Sequence, residues 1–166
     1  MRYLTLGALV CLFVGVSSSA QAQTADPQMM APINKFMEAF NKGDMAGAAA
    51  THSATADLAI VDEVPPFAWV GAQAFQNWAA ALQADSKKNG SSEEKVTIKA
   101  PTRVETDGST AYVVVPAVLT FKQKGVAMRE AAQMTFVLKK EASGWMIYGW
   151  TWTGPRPQKV AGAPTK

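Results

Sequence analysis

From about Glu94 to Thr153 the chain reads as four strand-length segments, Glu94–Glu105, Thr110–Lys122, Ala127–Lys139 and Trp145–Thr153, divided by Asp107-Gly108, Gly125 and Ser143-Gly144. Connections that short join antiparallel neighbours, so the second half predicts a meander within one sheet. The first half has a different period. Met29, Met30, Ile33, Phe36, Met37 and Phe40 recur at helical spacing and stop at Asn41-Lys42-Gly43, where the glycine can take the left-handed conformation that ends a helix. Asp44 can cap a short second helix through about Thr51. Leu58–Val61 and Phe67–Val70 read as short strands kept apart by Pro65 and Pro66, which have no N–H for a ladder. From Ala72 a third helix carries Phe75, Trp78, Ala79 and Leu82 on one stripe, and Lys87–Ser92 reads as a polar loop.

This order predicts an α+β fold in which three helices from the N-terminal half cover one face of a strongly curved, mixed or antiparallel sheet. Such a sheet curls into a cone. The hollow between sheet and helices is the natural place for a small ligand.

Ahead of the first helix, Arg2 precedes an apolar run from Leu4 to Val16, and Ala20-Gln21-Ala22 fits the small-x-small rule of signal peptidase. Residues 1–22 therefore read as a signal peptide, with the mature chain starting at Gln23. The expected location is the periplasm or the extracellular space. The run is shorter than the roughly 20 residues of a spanning helix, and no membrane span is expected. Cys11, the single cysteine, lies inside that run after Val10, which does not suit lipid attachment. Losing Arg2 leaves 15 basic residues against 13 acidic and no thiol. Disulfides and cysteine nucleophiles drop out. The one remaining histidine and the lack of a phosphate-cradling glycine loop leave acid-base chemistry without cofactor or metal. Arg156, Lys159 and Lys166 lie in a tail rich in Pro, Gly and Ala, residues 154–166, expected to be disordered, and no basic stripe predicts nucleic-acid binding.

Three segments together resemble the nuclear transport factor 2-like superfamily and its SnoaL-like bacterial members: FMEAFNKGDM (Phe36–Met45), TADLAIVDEVPPFAWVGAQAFQNW (Thr55–Trp78) and GWMIYGWTW (Gly144–Trp152). The resemblance covers about Gln28 to Trp152, within a domain read as 28–153 after a short lead at 23–27. It implies a cone-shaped pocket and frequent dimers. Fold does not carry function in this superfamily. The ketosteroid isomerase pattern of a carboxylate base with a tyrosine and a protonated aspartate meets Phe36 and Ala132 where those two donors belong. Only the base has a counterpart, Asp62 or Glu63.

Asp62 and Glu63 are adjacent at a strand end, so alternation predicts that one of them enters the cone. Asp62 is the expected base or polar anchor. His52 is a candidate proton shuttle if it reaches Asp57 or Asp62, and otherwise a residue at a helix end. On the last strand, alternation places Trp145, Ile147 and Gly149 on one face and Met146, Tyr148, Trp150 and Trp152 on the other. Trp69, Tyr112 and Trp150 are the expected ligand-binding aromatics. Arg129 with Glu130, and Arg103 with Glu105, read as solvated pairs. Three functions stay open: an exported domain that binds a small, largely apolar molecule; a cofactor-free isomerase, cyclase or dehydratase using Asp62 and His52; and a homodimeric association domain, joined through the sheet, with a filled pocket.

Overall fold

The computed structural model describes residues 26–161; the signal segment, its cleavage point and Cys11 lie outside these residues. Helix α1 runs from Pro27 to Asn41, with Asp26 accepting the Gln28 N–H at 2.9 Å and Pro27 in the first turn, where no helical N–H is needed. Its stripe of Met29, Ile33, Phe36 and Met37 is buried. Gly43, at φ +71, ends it as expected. Helix α2 is a single turn, Met45–Ala49, begun by Asp44 accepting the Gly47 N–H at 2.8 Å.

Strand β1 (Ala59–Val61) pairs antiparallel with β2 (Ala68–Val70) across the proline-containing loop and parallel with β7 (Gly144–Thr153). Helix α3 spans Ala74–Asn89 and stops at Gly90, whose φ is +68. The polar loop expected at 87–92 is therefore the last turn of α3, one left-handed glycine and the start of β3. That strand is Ser91–Ile98 and β4 is Arg103–Asp107, so the segment read as one strand is two, separated around Pro101. Both pair with β5 (Thr110–Gln123), β4 against its first half and β3 against its second. The 16-residue β6 (Val126–Glu141) lies between β5 and β7, giving the sheet order β2-β1-β7-β6-β5-β3. The tail is not wholly irregular, since β8 (Gln158–Lys159) pairs with Met128 and Arg129 of β6.

Helices and sheet meet in one core. Ile33, Phe36, Leu58, Ile60, Val113, Val115, Phe136, Leu138 and Ile147 are all almost fully buried, each contributing roughly 1.5–3 kcal/mol by leaving water. Asn41 ties the end of α1 to β3, donating to the Val96 carbonyl at 2.7 Å and accepting the Val96 N–H at 2.8 Å. That pair of hydrogen bonds holds the end of the helix at a set distance from the sheet.

One irregularity decides where the tryptophans point. Leu138 pairs with Ile147, but Val137 pairs with Gly149, so Tyr148 is an extra residue in β7. Simple alternation put Ile147 and Trp150 on opposite faces. The bulge resets the phase, and both face the helices, Ile147 at 0% exposure and Trp150 at 4%.

Candidate functional site

Between the helices and the concave sheet lies an open cavity of about 120 Å³. An engineered apolar cavity of roughly 150 Å³ accepts benzene, so this slightly smaller cavity takes about one ring, with any substituent at its open mouth. Phe36, Phe40, Trp78, Phe121, Trp150 and Trp152 supply aromatic walls, and Leu82, Val96, Leu119 and Met134 supply aliphatic ones. Trp78 and Trp150 meet edge to face with centroids 4.9 Å apart, and Phe36 lies 5.7 Å from Trp150. The polar lining includes Asp62, Glu63, Asp85 and Glu94.

Both carboxylates of the Asp62-Glu63 pair line the cavity, contrary to the expectation that alternation admits one. Strand β1 ends at Val61, and beyond it the chain turns. Asp62 Oδ1 accepts the Glu63 N–H at 2.7 Å, while its Oδ2 accepts from Trp78 Nε1 at 2.6 Å. Those two donors favour the carboxylate, yet burial is the larger effect and its pKa is raised, with Asp85 adding to the rise.

Glu63 is exposed as a residue at the cavity mouth, yet its carboxyl is pushed up to about 8, first by desolvation and then by the neighbouring carboxyls of Glu130, Asp62 and Asp85. Glu130 was read as half of a solvated pair, and it is 1% exposed. Trp152 Nε1 donates to its Oε1 at 2.8 Å, and no group of the described residues bonds its Oε2. Burial raises Glu130 as well, against the opposing Trp152 bond, so the two acids titrate as a pair. The signal for Glu130 was legible, because it shares a strand face with Met128, Met134 and Phe136, which are all buried.

His52 is not part of this constellation. It is 5% exposed, its Nδ1 faces the Ala48 carbonyl at 3.0 Å, and Trp150 Nε1 donates to its Nε2 at 3.0 Å. A carbonyl only accepts and an indole only donates, which places the proton on Nδ1. Burial lowers its pKa to about 4, so the ring is neutral and both nitrogens are engaged. The expected dyad is absent: Asp62 is held by Trp78 and the Glu63 N–H, and His52 holds the cavity wall from behind through Trp150.

Of the other aromatics expected to bind ligand, Trp150 lines the cavity, but Trp69 and Tyr112 do not. Trp69 sits opposite Ile60 and packs into the core at 7% exposure. Tyr112 alternates with the inward-facing Ala111 and Val113, so it faces away from the helices, with the Arg103 guanidinium 5.5 Å from its ring centre. Phe36 lines the cavity without a hydroxyl, and Ala132 is not part of the lining.

Comparison with curated proteins gives no match. Among solved structures, the chain is similar to a ketosteroid isomerase-like protein from Erwinia carotovora atroseptica, with 24% identity over 78% of this chain and 95% of that one and a TM-score of 0.59. It is also similar to a nuclear transport factor 2-like superfamily protein from Salmonella enterica serovar Typhimurium (15% identity, 84% and 94% covered, TM-score 0.64). A hexachlorocyclohexane dehydrochlorinase is a third (14% identity, 82% and 91% covered, TM-score 0.60). At these identities the likeness establishes the fold. A family model described as a SnoaL-like domain matches residues 30–151, from α1 into the aromatic strand, and the chain belongs to that family, with the fold seen in the nuclear transport factor 2-like protein.

Proposed function

We propose that this protein is an exported module that binds a small, largely apolar molecule in the cone, with Asp62 as its polar anchor and Glu63 beside it. The observation that carries this reading is the cavity itself: the wall side chains leave about 120 Å³ open against six aromatic residues, with the half-buried Asp62 at its edge. A filled pocket, as a purely structural role would want, is not what these side chains build. Native mass spectrometry of the purified protein tests the reading. A co-purifying apolar molecule released by Trp150→Ala supports it, and a cavity that takes up no apolar probe at millimolar concentration removes it.

A second reading is favoured by the contrast between the two adjacent acids. Asp62 holds two N–H donors that suit a carboxylate, while Glu63 is driven toward its neutral form, so a base and an acid stand side by side. That arrangement suits a cofactor-free isomerisation or dehydration, with the Glu63 proton in place of the hydroxyl that Phe36 lacks. The similar structures include proteins described as ketosteroid isomerase-like and as a dehydrochlorinase. Asp62→Asn separates the readings: it abolishes turnover if Asp62 is a base, by 100-fold or more on the usual scale of general-base loss, and changes affinity alone if Asp62 is an anchor.

A further inference from the structure

The charged lining of the cavity has one sign. Asp62, Glu63, Asp85 and Glu94 border it and, among the described residues, no Lys, Arg or His does, although the chain has 16 Lys and Arg against 13 Asp and Glu. The ion pairs of the described residues, Glu38–Lys42, Arg103–Glu105 and Lys122–Glu93, lie on exposed side chains elsewhere. A fifth carboxyl, Glu130, is buried behind Trp152 and Glu63 with one oxygen unpartnered.

Carboxyls gathered in an apolar cleft without a counter-ion repel one another and pay for lost hydration. Protonation, as at Glu63, relieves part of that repulsion, and a positive charge from outside would relieve the rest. Aromatic faces at the same site attract cations through their negative quadrupoles. Resting on the reading that the cone takes a small apolar molecule, we propose that its ligand is an organic cation, a one-ring or short hydrocarbon skeleton bearing a protonated amine. Its ammonium group meets the carboxyls at the cavity edge, and its apolar part lies against Trp78, Trp150 and Phe36.

The alternatives fit less well. An anionic ligand faces four acidic residues and no cation. A calcium ion needs six to eight oxygens, but Trp78 and Trp152 already occupy oxygens of Asp62 and Glu130, and Ser86 and Asn89 occupy oxygens of Glu94 and Asp85. A neutral ligand leaves the acids without a counter-charge. The groups acting on Glu63 are Asp62 from its own segment, Asp85 from α3 and Glu130 from β6, all acids. An arriving cation therefore displaces the Glu63 proton into solvent.

Titration calorimetry at pH 7 with benzylammonium, benzyl alcohol and benzoate tests this with one ring and three charges. Benzylammonium is expected to bind at least about tenfold tighter than benzyl alcohol, the scale of a partly desolvated cation–aromatic contact, with benzoate weakest. Its binding heat should change between phosphate and Tris buffers, reporting proton release, and that of the alcohol should not. Glu63→Gln, at the exposed rim, should remove the proton release and most of the preference, and Asp62→Asn should remove most of the preference in a protein with unchanged circular dichroism. If benzyl alcohol binds as tightly as the amine, the cation proposal is overturned while the apolar pocket stands. If none of the three binds at millimolar concentration, both are overturned.

Discussion

His52, buried, and Asp62, half-buried, stand on either side of the same tryptophan pair, and their partners leave them different roles. Asp62 faces the cavity and keeps two N–H donors, whereas His52 spends both nitrogens on Ala48 and Trp150. An unfolded histidine takes a proton near pH 6.5, while the folded one refuses it until about pH 4. In that window the unfolded state binds more protons, so stability falls as pH falls. The loss amounts to roughly 3 kcal/mol, and urea unfolding of wild type and His52→Gln at pH 7 and 4.5 measures it. The variant should lose less on acidification, because Gln keeps an acceptor for Trp150 and cannot be protonated. Equal acid sensitivity would show that His52 is not the group responsible. In sequence this residue resembled a proton shuttle because it was the single histidine near an acid. One of its partners, Trp150, lies 98 positions away, and no local pattern could reveal it.

Among the elements, β7 departs most from its sequence reading. Strict alternation splits its aromatics between two faces, and the extra residue Tyr148 brings Ile147 and Trp150 onto one. Bulges follow from how two strands mate, so the partner, β6, is needed to place one. Gly149 beside the bulge was also silent in sequence. It lies against β1, and a Cβ there would stand 2.8 Å from the Ala59 carbonyl oxygen. That atom belongs to a paired strand and cannot swing aside. Gly149→Ala should therefore cost about 1–3 kcal/mol and lower the melting temperature in a calorimetric scan, by loosening the β1–β7 pairing that places Asp62. An unchanged melting temperature would mean that β1 shifts freely. The helices were easier to read. The stripe of α1 and its stop at Gly43 depend on residues within one helix, and only the end of α3 ran one turn past its expected limit.

For the whole molecule, the sheet has a face turned away from the helices. Tyr112 and Val137 are cross-strand partners there, each 39% exposed, and Lys139 lies over the Tyr148 ring at 4.2 Å. If the chain pairs through its sheet, this outer face is the one the helices leave free, and aromatic residues are enriched at protein interfaces. Trp150 is on the inner face, so its replacement probes the pocket and not association. Val137→Asp is the substitution that separates the two, because it puts a charge on the outer face without touching the cavity. Light scattering should then show the mass falling from dimer to monomer, and an unaltered mass would withdraw the outer face as the contact. Among the described residues no helix is long and apolar enough to cross a membrane.

The sequence by itself determined the elements whose signals are local: helices from their apolar period and glycine stops, strands from alternation between tight turns, and from their order a curved sheet with helices on one face. It also placed Asp62 at the end of β1. Tertiary structure decided what those residues do, because pairing register and burial are long-range quantities. It admitted Glu63 to the cavity after β1 ended, brought Glu130 up behind it across 67 residues of chain, and took His52 out of the chemistry by giving both its nitrogens partners. The acidic character of the cavity arises the same way. Its carboxyls come from a loop, α3 and β3, and only folding gathers them around one set of aromatic walls.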